Sequence, residues 1–168
     1  SQDSYLRGQF LVATPALKES CFDKAVVYIC DHNAEGAMGV IVNRPIANIR
    51  LGEILTALEI GAERDIGDLP VYFGGPVEGH RGFVLHTDEV TMPDTVVGAD
   101  GICLTAHVGM LRGLAEGHSP KNHFLVLGYS GWGAGQLEAE LQSGSWITVP
   151  ATRKLVFETD NDLKWSLA

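Results

Sequence analysis

Gly-Tyr-Ser-Gly-Trp-Gly-Ala-Gly-Gln-Leu-Glu, at residues 128–138, is the stretch from which the fold can best be predicted. It follows the apolar run at 124–127, and it leads into a segment where Leu137 and Leu141 lie one helical turn apart. An apolar run, a glycine-rich segment and a 3.6-residue period indicate three consecutive elements. We therefore predict a strand over 124–127, a glycine turn and a helix over 136–142.

The same stretch has the layout of three enzymatic loops, and each comparison fails at a particular residue. The nucleophile elbow Gly-x-Ser-x-Gly needs glycine where Trp132 stands, two residues after Ser130. The dinucleotide loop Gly-x-Gly-x-x-Gly needs a third glycine where Gln136 or Glu138 stands. A phosphate loop needs Gly-Lys-Ser/Thr, which occurs nowhere in the chain. The motif therefore predicts no catalytic residue.

Three loops nevertheless have residue types that could hold a ligand. Backbone N–H groups of glycines before a helix favour an anion, and an arginine after a strand can bind a carboxylate or a phosphate. A Gly-Gly-Pro corner allows close approach of a ligand or of another backbone segment. For each loop the structural alternative, a tight turn, stays open. The candidate ligand-binding residues are Asn43, Arg44, Gly74, Gly75, Gly133 and Gly135.

The rest of the chain mixes strand and helix patterns. The run at 25–30 is continuously apolar, which is typical of a strand covered on both faces. Hairpin-like strands dominate the first half, and helices alternate with strands only in the second half, which favours an α+β class. We predict one compact domain over 1–168, with a mixed β-sheet, barrel-like as one option, flanked by about three helices. The predicted helices lie near 50–60, 107–116 and 136–142, and the predicted strands lie at 9–13, 25–30, 37–43, 71–73, 82–86, 102–105, 124–127, 146–149 and 155–157.

Composition narrows the functional classes. The 168 residues are 45% hydrophobic and 20% charged, as in ordinary globular proteins, and their formal net charge is −9. Such a surface repels phosphate backbones, so no direct nucleic-acid binding is expected. No apolar run approaches the roughly 18 residues of a membrane span, so no membrane association is expected.

Cysteine and histidine spacing gives no sign of a metal or redox site. The three cysteines, Cys21, Cys30 and Cys103, are widely separated and form no Cys-x-x-Cys pair. Cys103 and His107 are one potential pair, whose simpler interpretation is a buried thiol beside a helix-start histidine. We therefore expect reduced thiols in the cytoplasm, no bound metal and no cofactor.

Taken in order, several stretches resemble the YqgE/AlgH family of bacterial proteins. They are GQFLVATP at 8–15, AVVYICDH at 25–32, GAMGVIVNRP at 36–45, VYFGGPV at 71–77, FVLH at 83–86, LGYSGW at 127–132 and GQLE at 135–138. The resemblance implies a compact α+β fold around a mixed sheet in a cytoplasmic bacterial protein. It carries a transcriptional-regulator label in one branch, with no assigned biochemical activity and no established catalytic residues.

Two functional hypotheses follow. The first is a non-enzymatic regulatory or protein-interaction protein with an unidentified protein partner and no direct contact with DNA. The alternative is a small-molecule or anion-binding protein, or an enzyme, that uses the Asn43-Arg44, Gly74-Gly75 and Gly131–Gly135 loops.

Overall fold

Strand β9 (His123–Gly133) is the longest strand and has three neighbours in the sheet. The computed structural model describes residues 5–61, 66–106, 108–117 and 120–168. The other strands are β1 (Gln9–Ala13), β2 (Val26–Asn33), β3 (Gly36–Ile41), β4 (Pro45–Arg50), β5 (Pro70–Phe73), β6 (Val77–His86), β7 (Val96–Val97), β8 (Cys103–Thr105) and β10 (Trp146–Pro150).

Five α-helices lie in the described residues, against the prediction of about three. They are α1 (Leu51–Ala57), α2 (Val108–Glu116), α3 (Gln136–Gln142), α4 (Arg153–Glu158) and α5 (Asn161–Leu167). The two additional helices follow β10, where the sequence suggested a short strand and a tail. Within the described residues, no helix is long and apolar enough to cross a membrane.

The sheet is mixed and open. Its main path runs β10-β1-β2-β3-β9-β6-β8-β7, with β5 beside β9 and β4 beside β5. The β5–β9 pair is parallel, and the other pairs of the described strands are antiparallel. The α+β class with a mixed sheet is therefore confirmed. The barrel-like option is wrong, because β10 and β7 end the path and do not pair with each other in the described chain.

The predicted turn after Leu127 is mostly strand. Strand β9 continues through Gly133, because residues 130–133 pair with β3 while residues 125–127 pair with β5 and β6. Only Ala134 and Gly135 remain between β9 and α3. Glycine is a local turn signal, but here the pairing with distant strands overrides it.

The segment 155–157, predicted as a short strand, lies inside α4. The side chain of Thr152 caps that helix by accepting a hydrogen bond from the Leu155 backbone N–H at 3.3 Å. An N-cap of this kind satisfies one of the unpaired amides of the first turn. The cap and the burial of Leu155 and Val156 stabilise a helix where the short apolar run suggested a strand.

Side chains of β2 alternate between two hydrophobic clusters. Val26 and Tyr28 belong to one cluster, whereas Val27 and Ile29 belong to the other, on the opposite face of the strand. The prediction that this strand is covered on both faces is confirmed. A third cluster packs α1 and α2 against the sheet, with contributions from Leu51, Leu55, Met110, Leu111, Leu114 and Leu125.

The Gly74-Gly75 corner crosses the backbone of β9 at very short range. A Cβ atom added to Gly74 would lie 2.3 Å from the Gly128 carbonyl oxygen. One added to Gly75, whose φ is +152°, would lie 2.3 Å from the Tyr129 carbonyl carbon and oxygen. Since neither contact leaves room for a side chain, the two glycines allow β5 and β6 to lie on β9.

We expect Gly75→Ala to lower the free energy of unfolding by roughly 2–4 kcal/mol, because it combines overpacking with a strained φ. Urea unfolding followed by circular dichroism measures the change. The matched control is Gly79→Ala, at an exposed site with no atom within 4 Å of the added Cβ. It should stay within about 0.5 kcal/mol of the wild type. Equal losses in both variants would contradict the close-approach explanation.

Candidate functional site

The carboxylate of Glu140 in α3 fixes the end of β9 in place. Its Oε1 accepts hydrogen bonds from the indole N–H groups of Trp132, at 3.0 Å, and Trp146, at 2.9 Å. Its Oε2 accepts from Gln136 Nε2 at 2.9 Å, and Gln136 Oε1 in turn accepts from the Gly133 backbone N–H at 2.9 Å. The backbone N–H of Gly133 is therefore bonded within the chain.

The two indoles belong to a buried aromatic group. Phe22 packs against both, with its ring centroid 6.4 Å from that of Trp132 and 5.4 Å from that of Trp146. The two indole rings are 6.0 Å apart in an edge-to-face arrangement. Rings in such geometries add stability beyond the area they bury. Trp132 and Trp146 thus pack in the core.

Glu140→Ala should lower the free energy of unfolding by roughly 2–4 kcal/mol, because it leaves two buried indole N–H groups without their charged acceptor. The tryptophan fluorescence should change as well, since both indoles lose a hydrogen bond. Urea unfolding monitored by that fluorescence gives both readouts. Glu19→Ala, at an exposed glutamate, is the control and should stay near the wild type. A Glu140→Ala variant as stable as this control would contradict the anchoring role.

The side chains of Asn43 and Arg44 form hydrogen bonds to the backbone of the segment that leads into β2. Asn43 Oδ1 accepts from the Val26 N–H at 3.0 Å, and Asn43 Nδ2 donates to the Lys24 carbonyl at 2.9 Å. The Arg44 guanidinium donates to two carbonyl groups within residues 21–23. These bonds hold the β1–β2 connection against the end of β3.

The six candidate residues differ in what they contact in the described part of the chain. Gly74 and Gly75 contact β9, Asn43 and Arg44 contact the loop before β2, and Gly133 and Gly135 lie at the start of α3. None of the six lines the three cavities of about 770, 550 and 340 Å³ that other described residues form. A ligand-binding role for these positions stays a prediction.

A cleft of about 770 Å³ lies beside β3, β6, β7 and β9, and we call it the acidic cleft. Three carboxylates, Asp31, Glu35 and Asp94, and one guanidinium, Arg81, lie among its lining residues. Its apolar wall consists of Met38, Val77, Phe83, Val96, Leu104, Tyr129 and Trp132. Sequence reasoning missed this site, because its carboxylates come from distant segments and each looks like an ordinary surface residue.

A buried hydrogen-bond chain begins at His86. Its Nδ1 lies 2.7 Å from the Thr87 carbonyl and must donate to it, so the neutral ring accepts the Thr105 hydroxyl at Nε2, also at 2.7 Å. Thr105 Oγ1 then bonds to Thr95 Oγ1 at 2.7 Å. Both His86 and Thr105 are 0% exposed, and burial lowers the pKa of His86.

A hydroxyl that donates to an imidazole is the arrangement of a nucleophile and its base. Thr105 also borders an apolar cavity of about 340 Å³. Its Oγ1, however, is bonded to both His86 and Thr95, and its side chain is fully buried. The chain of bonds therefore serves to hold the segment before β7 against β8.

Stability should fall as the pH is lowered through 6.5, the ordinary pKa of a histidine, because the unfolded chain takes up a proton that buried His86 resists. His86→Asn should flatten this slope, since the amide can still donate to the Thr87 carbonyl but does not titrate. Thr95→Val is the control, which weakens the same network and keeps the slope. Urea unfolding between pH 5 and pH 8 measures it. An unchanged slope in His86→Asn would contradict the assignment.

The buried cysteines do not form a thiolate site. Burial raises the pKa of Cys103 to about 11 and that of Cys30 to about 12, so both thiols are protonated near neutral pH. His107, the proposed partner of Cys103, lies outside the described residues. Within those residues no group of three or more metal-ligating side chains converges.

Comparison with known proteins identifies relatives along nearly the whole chain. The model of the family described as AlgH-like matches residues 10–168. A UPF0301 protein of Methylobacterium nodulans is 46% identical over 173 residues, an alignment that covers 98% of this chain and 82% of the relative. A UPF0301 protein of Hahella chejuensis is 46% identical over 164 residues, covering 98% of this chain and 87% of the relative.

Solved structures agree with the sequence matches. The solution structure of the AlgH protein from Pseudomonas aeruginosa has a TM-score of 0.83 and 35% identity, covering 99% of this chain and 88% of that one. The crystal structure of a protein from Corynebacterium diphtheriae has a TM-score of 0.76 at 18% identity, covering 95% of this chain and 83% of that one. The second likeness shows the shared fold alone.

Proposed function

The chain belongs to the AlgH-like family, and from this premise we propose that it is a cytoplasmic regulatory protein that binds a protein partner. It acts without catalysis and without direct contact with DNA. The acidic cleft is the observation that carries this proposal, and a basic, extended segment of the partner is the chemistry that fits it. The whole of residues 1–168 acts as one domain in this function.

Charge and shape of the acidic cleft support such an occupant. Three carboxylates against one guanidinium leave the lining with two net negative charges. The half-buried part of its apolar wall, which includes Met38, Val77 and Tyr129, offers apolar contact to the stems of lysine and arginine side chains. Complementary charge of this kind speeds association and selects the partner more than it adds affinity.

The edge of the sheet beside the acidic cleft provides a second feature for recognition. Strand β7 ends the sheet path and pairs only with β8 among the described strands. Its Val96 lines the cleft, and its Val97 is 51% exposed. An extended peptide can add to a sheet edge through backbone hydrogen bonds while neighbouring pockets take alternate side chains. A partner segment that enters the cleft would therefore run beside β7.

The alternative function is binding of a small molecule or anion at the Asn43-Arg44, Gly74-Gly75 and Gly131–Gly135 loops. Fewer observations support it than support a protein contact. Gly131 borders the acidic cleft, whose carboxylates disfavour an anion. Arg44 and Gly133 donate to groups within the chain, and a ligand would have to replace those bonds. Regulation through a protein contact is the function that the cleft supports better.

We expect the double variant Asp31→Asn/Asp94→Asn to lose the partners that the wild type captures. Only Glu35 and Arg81 then remain as charged lining residues, so the cleft has no net negative charge to offset the desolvation of basic side chains. Quantitative mass spectrometry of bacterial lysate bound to each immobilised protein measures this loss. Captured proteins should also elute with salt, as screened charge pairs do.

The control variant is Glu19→Gln/Glu53→Gln, which removes two exposed charges outside the cleft and should keep the wild-type partners. Equal capture by both double variants would contradict the role of the acidic cleft. A gel shift on promoter DNA, or turnover in a panel of substrates, would contradict the proposed function more broadly.

A further inference from the structure

Lys164 is a buried lysine on α5, with a side chain that lies almost entirely inside the protein. It is 1% exposed, and its Nζ donates to the Val42 carbonyl oxygen at 2.8 Å. An ammonium group has three N–H donors, so this bond uses one of them. The ion pairs of the described chain do not include Lys164, so no carboxylate among the described residues lies within 4.0 Å of its Nζ.

Two aromatic rings partly stabilise the buried ammonium group of Lys164. Nζ lies 5.5 Å from the ring centroid of Tyr72 and 5.4 Å from that of Phe124, within the range of cation–π attraction. Taking an ammonium out of water costs several kcal/mol unless partners replace the solvent. Desolvation accordingly lowers the pKa of Lys164 to about 8. The site holds a positive charge that the described residues do not fully balance.

The same residues border a cavity of about 550 Å³, which we call the lysine cavity. Tyr72, Phe124 and Phe157 form one wall, with centroid distances of 4.2 Å and 5.8 Å between successive rings. A cavity of this volume suits a small organic molecule. Its polar lining residues are Lys121, Asn122, His123, Thr159, Asp160, Asn161 and Lys164.

The charge of the lysine cavity contrasts with that of the whole protein. The chain carries a formal net charge of −9, yet the described residues that line this cavity include two lysines and one aspartate, for a net charge of +1 when His123 is counted as neutral. Asn161 Nδ2 donates to the Tyr72 hydroxyl at 2.9 Å, which orders the amide beside the rings. A single excess positive charge is matched by a single negative one, whereas a dianion would leave a negative charge buried.

We propose that the lysine cavity binds a small aromatic carboxylate, whose carboxylate accepts from Lys164 Nζ and whose ring lies against the Tyr72, Phe124 and Phe157 wall. The carboxylate balances the buried ammonium, and the flat ring fills the apolar part of the cavity. The lysine cavity and the acidic cleft share no lining residue, so the two sites can be tested separately.

Benzoate is the probe, and the readout is the NMR signal of Lys164 in protein labelled with ¹³C-lysine. Benzoate should shift this signal saturably and raise the pKa of Lys164, because the bound anion favours the charged amine. Benzamide, which has the ring without the charge, and acetate and inorganic phosphate, which have the charge without the ring, should bind more weakly. Equal binding of benzamide or phosphate would overturn the ligand class.

Lys164→Met should weaken benzoate binding at least about tenfold, because it removes the buried charge partner and keeps much of the side-chain volume. Lys121→Met is the matched control, at an exposed lysine of the same cavity, and should change the affinity far less. Unchanged affinity in Lys164→Met would overturn the assignment.

The wild type alone provides a test that does not depend on how the variants fold. Benzoate stays ionised from pH 7 to pH 10, whereas Lys164 loses its proton in this range, so affinity should fall about tenfold per pH unit above the lysine pKa. Tyr72, Lys121, His123 and Asp160 are the other titratable groups that face the cavity. Affinity that stays constant over this range would overturn the proposal.

Discussion

The fold depends on how closely other strands can approach β9. Three strands share the hydrogen-bonding groups of this one strand, β5 and β6 along its first part and β3 along its last. The corner between β5 and β6 can cross it only because Gly74 and Gly75 present no side chain to the β9 backbone. Strand β3 joins the hairpin of the first half to the last part of β9, and the acidic cleft lies along that same end of β9.

Charged groups inside this protein act as anchors, and they differ in how well they are satisfied. Glu140 accepts from two indoles and one amide, so its carboxylate is balanced by hydrogen bonds and fixes the end of β9. Among the described residues, Lys164 Nζ donates to one carbonyl and lies near two rings, so two of its three N–H groups have no strong acceptor there. The Glu140 arrangement has a structural role, whereas the Lys164 arrangement favours binding of an anionic ligand.

Much of the sheet could be predicted from sequence, because local patterns determine which segments form strands. The continuous apolar run of β2 and its hairpin with β3 are examples. The extension of β9 past Gly128 could not be predicted, since glycine indicates a turn locally while the pairing that overrides it comes from strands far away in sequence. The lysine cavity and the acidic cleft could not be predicted either. A lysine in a short amphipathic segment is normally exposed, so the burial of Lys164 gives no signal in the sequence. The carboxylates of the acidic cleft are far apart in sequence and come together only in the folded sheet.

Strand β1 has a consequence for the order in which the molecule assembles. It lies between β2 and β10, so Phe10 has Tyr28 on one side and Val149 on the other. The second neighbour is separated from β1 by most of the chain, and Trp165 bonds to the Ala13 carbonyl from still further along. Non-local pairings of this kind slow folding, because the chain loses loop-closure entropy before the stabilising contacts can form. During synthesis, one edge of β1 must therefore stay unpaired until the last strand emerges from the ribosome.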